Sequence, residues 1–210
     1  MATVILVRHG RSTANVQGIL AGRSPGVELD EHGRMQARAL ADALRHVARA
    51  YTSPMDRCRQ TAEGAGLVAE VVPGLDECDY GQWTGERLDA LASLELWDEV
   101  QRHPSGVHFP QGESLLEMRD RAVAAVAGIV QRHRGESVAV FSHGDPIKAI
   151  LADALAMPFD EFQRLDVAPG SISVVDYSGV KPLVRLIGAP PGPALPTGPA
   201  RPLPGGSRGA

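Results

Sequence analysis

Two histidines in this 210-residue chain each follow an apolar run and precede a glycine. His9 closes Thr3-Val4-Ile5-Leu6-Val7-Arg8-His9-Gly10, and His143 closes Ser137-Val138-Ala139-Val140-Phe141-Ser142-His143-Gly144. Short apolar, β-branched runs read as strands buried on both faces. In open α/β sheets ligands bind outside the carboxyl ends of the strands, so both imidazoles fall where a ligand would sit. A neutral, oriented imidazole is a competent nucleophile. Arg8 and Arg57 offer planar forks that match phosphate oxygens and stay charged. Glu77, in Leu75-Asp76-Glu77-Cys78-Asp79-Tyr80-Gly81-Gln82-Trp83-Thr84-Gly85, offers a carboxyl group able to protonate a departing alkoxide. A nucleophile, a proton donor and cations around the non-bridging oxygens are what phosphoryl transfer requires. No metal is needed where arginines and a second histidine supply the charge.

The elements that must position these groups follow from pattern. After the first strand comes a polar loop from Gly10 to Asp30, in which Gly10 lets the backbone approach a ligand. Met35, Ala39, Leu40, Ala43, Leu44 and Val47 fall at helical spacing. A short strand over 50–52, a helix over 57–65 and a strand over 67–72 come next. Residues 73–85 read as loop, 90–100 as helix and 103–112 as a long excursion. Ser114 and Glu117 have capping-box spacing at the head of a helix over 114–133, with Ala122, Val123, Val126, Ile129 and Val130 as its stripe. Pro146 suits the first turn of a further helix. Residues 171–177 and 182–187 predict a hairpin at a sheet edge. This alternation predicts an α/β fold with a mostly parallel central sheet. Residues 1–187 suit one domain with a sizeable core. Residues 188–210, dense in Pro, Gly and Ala, read as a flexible tail.

The net charge of −4 is mild and gives no reason to expect nucleic acid or a membrane as partner. The opening apolar run is too short for a membrane span or a signal segment. Cys58 and Cys78 lack metal-site or redox-motif spacing. They read as free, partly buried thiols of a reducing compartment, hence a cytoplasmic protein. The expected partner is a small phosphorylated metabolite, with no cofactor and no metal. The oligomeric state stays open, a homodimer included. Histidines 32, 46, 103, 108 and 133 read as surface groups, Lys148 as a solvent-facing helix position, and Trp83 and Trp97 as packing residues.

Four segments together resemble the histidine phosphatase superfamily, which contains the cofactor-dependent phosphoglycerate mutases and many phosphatases. Leu6-Val7-Arg8-His9-Gly10-Arg11-Ser12-Thr13-Ala14-Asn15 is similar to its signature. Arg57-Cys58-x-x-Thr61-Ala62 resembles its second arginine motif and favours Arg57 over Arg59. Leu75-x-Glu77 with Gly81-x-Trp83-x-Gly85 resembles its acid loop, and Ser142-His143-Gly144 its second histidine motif. The likeness spans roughly residues 3–187 and implies a three-layer α/β/α fold of the phosphoglycerate mutase type. It implies a phosphohistidine at His9. Arg8, Arg57 and His143 would hold the phosphoryl oxygens, with Asn15 and the backbone at Gly144 as further donors. Glu77 would protonate the leaving group and then activate water. The chain departs from the mutases at Arg11, where they carry Glu or Gln, and at Cys78-Asp79-Tyr80, which lacks their basic residue after the acid. Paired arginines for a second phosphate are also missing. These departures favour hydrolysis, a phosphomonoesterase of the histidine acid phosphatase type, over a phosphomutase. The intact His9, Arg57, Glu77 and His143 speak against a third reading, a non-catalytic phosphate-binding module. Specificity falls to residues 17–25 and 94–110.

Overall fold

The computed structural model describes residues 2–192 together with 195 and 196. In chain order the elements are β1 (Thr3–Arg8), α1 (Thr13–Gln17), α2 (Glu31–Ala39), α3 (Ala41–Leu44), β2 (Arg49–Thr52), α4 (Asp56–Gly64), β3 (Ala69–Val71), α5 (Leu88–Leu91), α6 (Glu95–Arg102), α7 (Leu115–Arg132), β4 (Ser137–Ser142), α8 (Gly144–Ala154), β5 (Ile172–Asp176) and β6 (Leu183–Ala189). Single 3-10 turns lie at Pro73–Leu75, Gly81–Trp83, Pro104–Gly106 and Phe159–Arg164. The six strands form one sheet in the order β3-β2-β4-β1-β5-β6. β1 to β4 are mutually parallel and β5 alone runs against its neighbours. The expected edge hairpin is β5–β6.

The central strands explain the layers. Side chains alternate across a strand, so β1 sends Val4 and Leu6 to one face and Ile5 and Val7 to the other. β4 divides in the same way, Val138 and Val140 against Ala139 and Phe141. On the first face they pack with Met118, Ala122 and Val126 of α7 and Ile147, Ile150 and Leu151 of α8. On the second they pack with Leu40, Leu44, Cys58 and Ala62 of the α2–α4 layer. The fold is thus the three-layer α/β/α sandwich that the resemblance implied. Among the described residues no helix is long and apolar enough to cross a membrane.

Several boundaries differ from the pattern-based expectation. The loop over 10–30 contains α1, capped at Ser12, whose hydroxyl accepts from the Asn15 backbone while Asn15 Oδ1 accepts from the Ser12 N–H. The helix expected through Met35 starts earlier, at Glu31 behind an Asp30 cap, and breaks at Leu40. Its core face is Gly33, Ala37, Leu40 and Leu44, and Met35 is 52% exposed. The helix expected over 90–100 is two, α5 and α6, divided by Ala92, Ser93 and Leu94. α7 begins with the expected capping box, Ser114 with Glu117. β6 runs through Ala189, so the first two residues of the anticipated tail belong to the sheet. From residue 193 onward all of that tail except 195 and 196 lies outside the described residues.

One contact fixes the loop after His9 to the α2 layer. A Cβ at Gly10 would stand 2.6 Å from the Gly33 carbonyl oxygen, and a Cβ at Gly33 would stand 2.0 Å from the Arg11 carbonyl oxygen. The close approach expected of Gly10 toward a ligand is therefore an approach to another backbone. Gly33→Ala should overpack this contact and cost about 1–3 kcal/mol, or roughly 2–4 °C of Tm per kcal/mol in a chain of this size. Gly128→Ala, in the middle of α7 with open space around it, should instead leave Tm equal or raised. Equal melting of both variants and the parent would refute the contact.

Candidate active site

Strand register sets the two histidines side by side. β1 and β4 are parallel neighbours in which Arg8 pairs with Ser142, and the His9 N–H donates to the Ser142 carbonyl at 3.0 Å. The next residues, His9 and His143, then stand together with ring centroids 5.2 Å apart, edge to face. β2, on the other side of β4, delivers Ser53 and the first turn of α4, which carries Arg57. Thr61 on the same helix ties the loops together: its Oγ accepts from the Gly10 N–H at 3.0 Å and donates to the Arg57 carbonyl at 2.6 Å.

Hydrogen bonds assign the imidazole tautomers. Arginine can only donate, so Arg57 Nε at 3.2 Å marks His9 Nε2 as the nitrogen with the lone pair. His9 Nδ1 then carries the proton and donates to the Gly10 carbonyl at 2.7 Å. By the same reasoning His143 Nδ1 accepts from Arg57 at 3.0 Å, and His143 Nε2 donates to Ser53 Oγ at 2.8 Å. Ser53 passes its own proton toward Asp76 at 3.1 Å. Burial, reinforced by the Arg57 guanidinium and then by Arg8, holds His9 well below the ordinary histidine range. Burial and Arg57 do the same to His143. Both rings are therefore neutral near pH 7, and His9 presents Nε2 as a usable nucleophile.

Arg57 is only 2% exposed. A further bond runs from it to the Gly22 carbonyl at 2.7 Å, while its second terminal nitrogen is buried without a partner. Arg8 donates to the Val167 carbonyl at 2.6 Å and likewise keeps a buried, unpartnered Nε. Unmet buried donors are costly. Two on neighbouring guanidinium groups beside His9 fit an anion such as a phosphoryl group.

Glu77 lines the same cavity, 9% exposed. Burial raises its carboxyl to about 7, and the Asp145 carboxylate adds to the rise. Its loop is clasped from outside. Arg121 on α7 donates to the carbonyls of Gly74, Asp76 and Glu77, and Arg23 donates to the Glu77 carbonyl from a separate loop. Glu113 binds both arginines. Asp145 in turn accepts from the Tyr80 hydroxyl at 2.8 Å.

A cavity of about 240 Å³ joins these groups. Arg8, His9, Asn15, Arg57, Glu77 and Gly144 are all on its wall, as are Leu20 and Gly22 from one expected specificity segment and Trp97 and Phe109 from the other. Asn15 has its amide oxygen bound by Ser12, which leaves its amide nitrogen as a donor. Gly144 opens α8, whose first N–H groups favour an anion. His143 is fully buried behind Arg57 and His9 and forms no part of the wall. Arg59 is exposed and lies elsewhere, against Thr52 and Glu63.

Lys148 and His133 sit differently from their expected places, and two packing residues also face the cavity. Lys148 lines the cavity and donates to Gln163 at 2.9 Å. Trp83 and Trp97 also line it, stacked at 6.2 Å. His133 is half-buried between Tyr51 and Glu136 rather than on the surface. Both cysteines are free and wholly buried.

This fold and this site define a class. The family description "Histidine phosphatase superfamily (branch 1)" matches residues 4–190, and the chain belongs to that family. Among its relatives is the "Probable phosphoglycerate mutase GpmB" of Klebsiella pneumoniae, 32% identical over 188 residues, covering 84% of this chain and 86% of that one. The solved structure of YhfR from Bacillus stearothermophilus superposes with a TM-score of 0.83 at 28% identity, over 90% of this chain and 98% of that one. The α-ribazole phosphatase of Shigella flexneri shares the fold, with a TM-score of 0.79 at 22% identity over 89% and 96% of the two chains.

The Glu77 carboxyl should titrate near pH 7 in the free protein. Carboxyl ¹³C NMR, with Glu77→Gln to assign the signal, measures this directly. Asp145→Asn removes the second cause of the rise and should move the midpoint downward. A midpoint at the ordinary glutamate value in both proteins would contradict the assigned environment.

Proposed function

We propose that the protein is a metal-independent phosphomonoesterase that hydrolyses small phosphate monoesters through a phosphohistidine at His9. In the first step His9 Nε2 attacks phosphorus and the P–O ester bond breaks. Glu77, protonated near neutral pH, gives its proton to the departing alkoxide. In the second step water attacks the phosphohistidine, its proton passes to the Glu77 carboxylate, and the N–P bond breaks to release phosphate. Arg8 and Arg57 hold the non-bridging oxygens with the donors that are unpartnered in the free site. His143, whose Nδ1 accepts from Arg57, orients that guanidinium toward the phosphoryl group. Asn15 and the backbone at Gly144 add neutral donors. The cations that stabilise the transferring group are thus side chains of the chain itself.

The observation that carries hydrolysis over mutase chemistry is the charge on the cavity wall. A mutase has to retain a doubly phosphorylated intermediate, so it needs a second cationic site beyond the first. Apart from Arg8 and Arg57, the one Arg or Lys on the described wall is Lys148, already bonded to Gln163 and 3.8 Å from Asp145. Arg11 turns away to pair with Asp30, and Arg23 is taken up by Glu113 and the acid loop. A second phosphate would meet little positive charge, and water becomes the acceptor. The mutase name of the Klebsiella relative keeps phosphomutase activity as the alternative.

Rapid-quench samples of the turning-over protein should carry acid-labile, base-stable phosphate, absent in His9→Ala, which should lose activity by several orders of magnitude. Glu77→Gln should cost an alkyl phosphate about a hundredfold more than para-nitrophenyl phosphate, since a low-pKa phenolate leaves unaided. The phosphoenzyme should discharge mainly to water. Predominant transfer to added 3-phosphoglycerate, with efficient formation of 2-phosphoglycerate, would replace the hydrolase with a mutase while leaving His9 and Glu77 in their roles.

A further inference from the structure

The cavity has two unlike ends. At its floor are the guanidinium groups and His9. An apolar set lines the same space: Leu20, Trp83, Leu88, Trp97, Val100 and Phe109. Both tryptophans of the chain are on this wall. They stack on one another, and Phe109 meets Trp83 edge to face at 5.2 Å. Leu88 is 37% exposed and Trp97 half-buried, so the wall opens to solvent when the site is empty. The wall is continuous with the floor, so whatever is esterified to a phosphate held at His9 must lie against it.

We infer that the organic part of the substrate is a small apolar group, alkyl or aryl, and that the protein selects apolar phosphate monoesters over polyhydroxylated ones. This rests on the hydrolytic reading of the same site. Two physical points support it. A hydroxyl pressed against indole, leucine and valine side chains loses its water and gains no partner, a penalty repeated for every hydroxyl of a sugar or glycerol phosphate. Four of the polar side chains beside it are occupied with one another, Lys148 with Gln163 and Asp145 with Tyr80, which leaves Gln101 as the further polar group there. Size sets a second limit. At about 240 Å³ the space lies below the usual range for ligand pockets. It therefore favours a phosphate with a short chain or one ring.

The test uses the full chain and n-alkylphosphonates from ethyl to hexyl, which cannot be hydrolysed. Intrinsic tryptophan fluorescence reports binding, because both indoles belong to the wall. Affinity should rise about fourfold per added methylene, the worth of one buried CH2, and level off once the cavity is full. Glycerol 3-phosphate and 3-phosphoglycerate should bind on the order of tenfold or more weakly than butylphosphonate. Trp97→Ala should shrink the ratio of hexyl to ethyl affinity, and so should Leu88→Ser, a partly exposed position that spares the core. A flat series, or tighter binding of the hydroxylated ligands, would overturn the inference. Phosphate release from ethyl phosphate, measured in parallel, keeps the two readings apart. A steep binding series without release would end the hydrolase proposal and keep the wall; release with a flat series would do the reverse.

Discussion

A buried cation organises this site. Arg57 is withdrawn from solvent, and its hydrogen bonds run to two imidazole nitrogens and one carbonyl, none of them a negative group. A charge placed in low dielectric without a counter-ion is expensive, and that expense has consequences at each neighbour. Burial already keeps His9 and His143 from taking protons, and Arg57 adds to it, because a second positive charge beside the first would raise the cost further. The guanidinium also makes an incoming dianion the natural counter-ion. Arg57 thus contributes both to the neutrality of His9 and to the attraction of an anion.

The acid in the same cavity needs the reverse environment. A proton donor serves only if it holds its proton near neutral pH, and burial together with the Asp145 carboxylate provides for that at Glu77. Neighbouring groups pushed in opposite directions are the usual mark of an assigned nucleophile and acid. Keeping the two environments apart is a matter of backbone. The acid loop is held by its carbonyls, which Arg121 and Arg23 bind from outside the cavity. Those charges are offset by Glu113 and, at Arg23, also by Asp76 and Asp79, so they secure the loop while adding little positive potential to the carboxyl they position.

What the sequence revealed and what it hid divide along contact range. His9, His143 and the buried strands beneath them were legible because each is a local pattern: an apolar run ending in a histidine and a glycine. The family likeness selected Arg57 over Arg59, and burial agrees with it. α1 was missed although Ser12 and Asn15 carry a capping signal, because polar loop composition outweighed it. Met35 was placed on a core stripe that belongs to Gly33 and Ala37, since small residues buried at a close helix–backbone contact give little hydrophobic signal. Lys148 was taken for a surface lysine although it lies one turn after Asp145, on the face that turns inward. The clasp of Arg121, Glu113 and Arg23 has no local trace: Arg121 and Glu113 are 8 residues apart, but Arg121 reaches Glu77 across 44 residues and Arg23 reaches Glu113 across 90. Only the fold brings them together.

The inner and outer parts of the cavity answer different questions. In the proposed mechanism Arg8, His9, Arg57 and Glu77 form and break a bond to phosphorus whatever the acceptor is. Which acceptor wins depends on how long the first product stays. An alcohol released against an apolar wall has no ionic hold there, whereas a phosphorylated intermediate is retained only by cations. Replacing a basic outer wall by Trp83, Trp97 and Leu88 therefore changes more than substrate preference. Under the proposed mechanism it shortens the residence of any doubly charged intermediate and leaves a phosphohistidine to water. In this reading hydrolysis and apolar selectivity follow from the same side chains, and restoring transferase chemistry would take new positive charge at the mouth, with no change at His9.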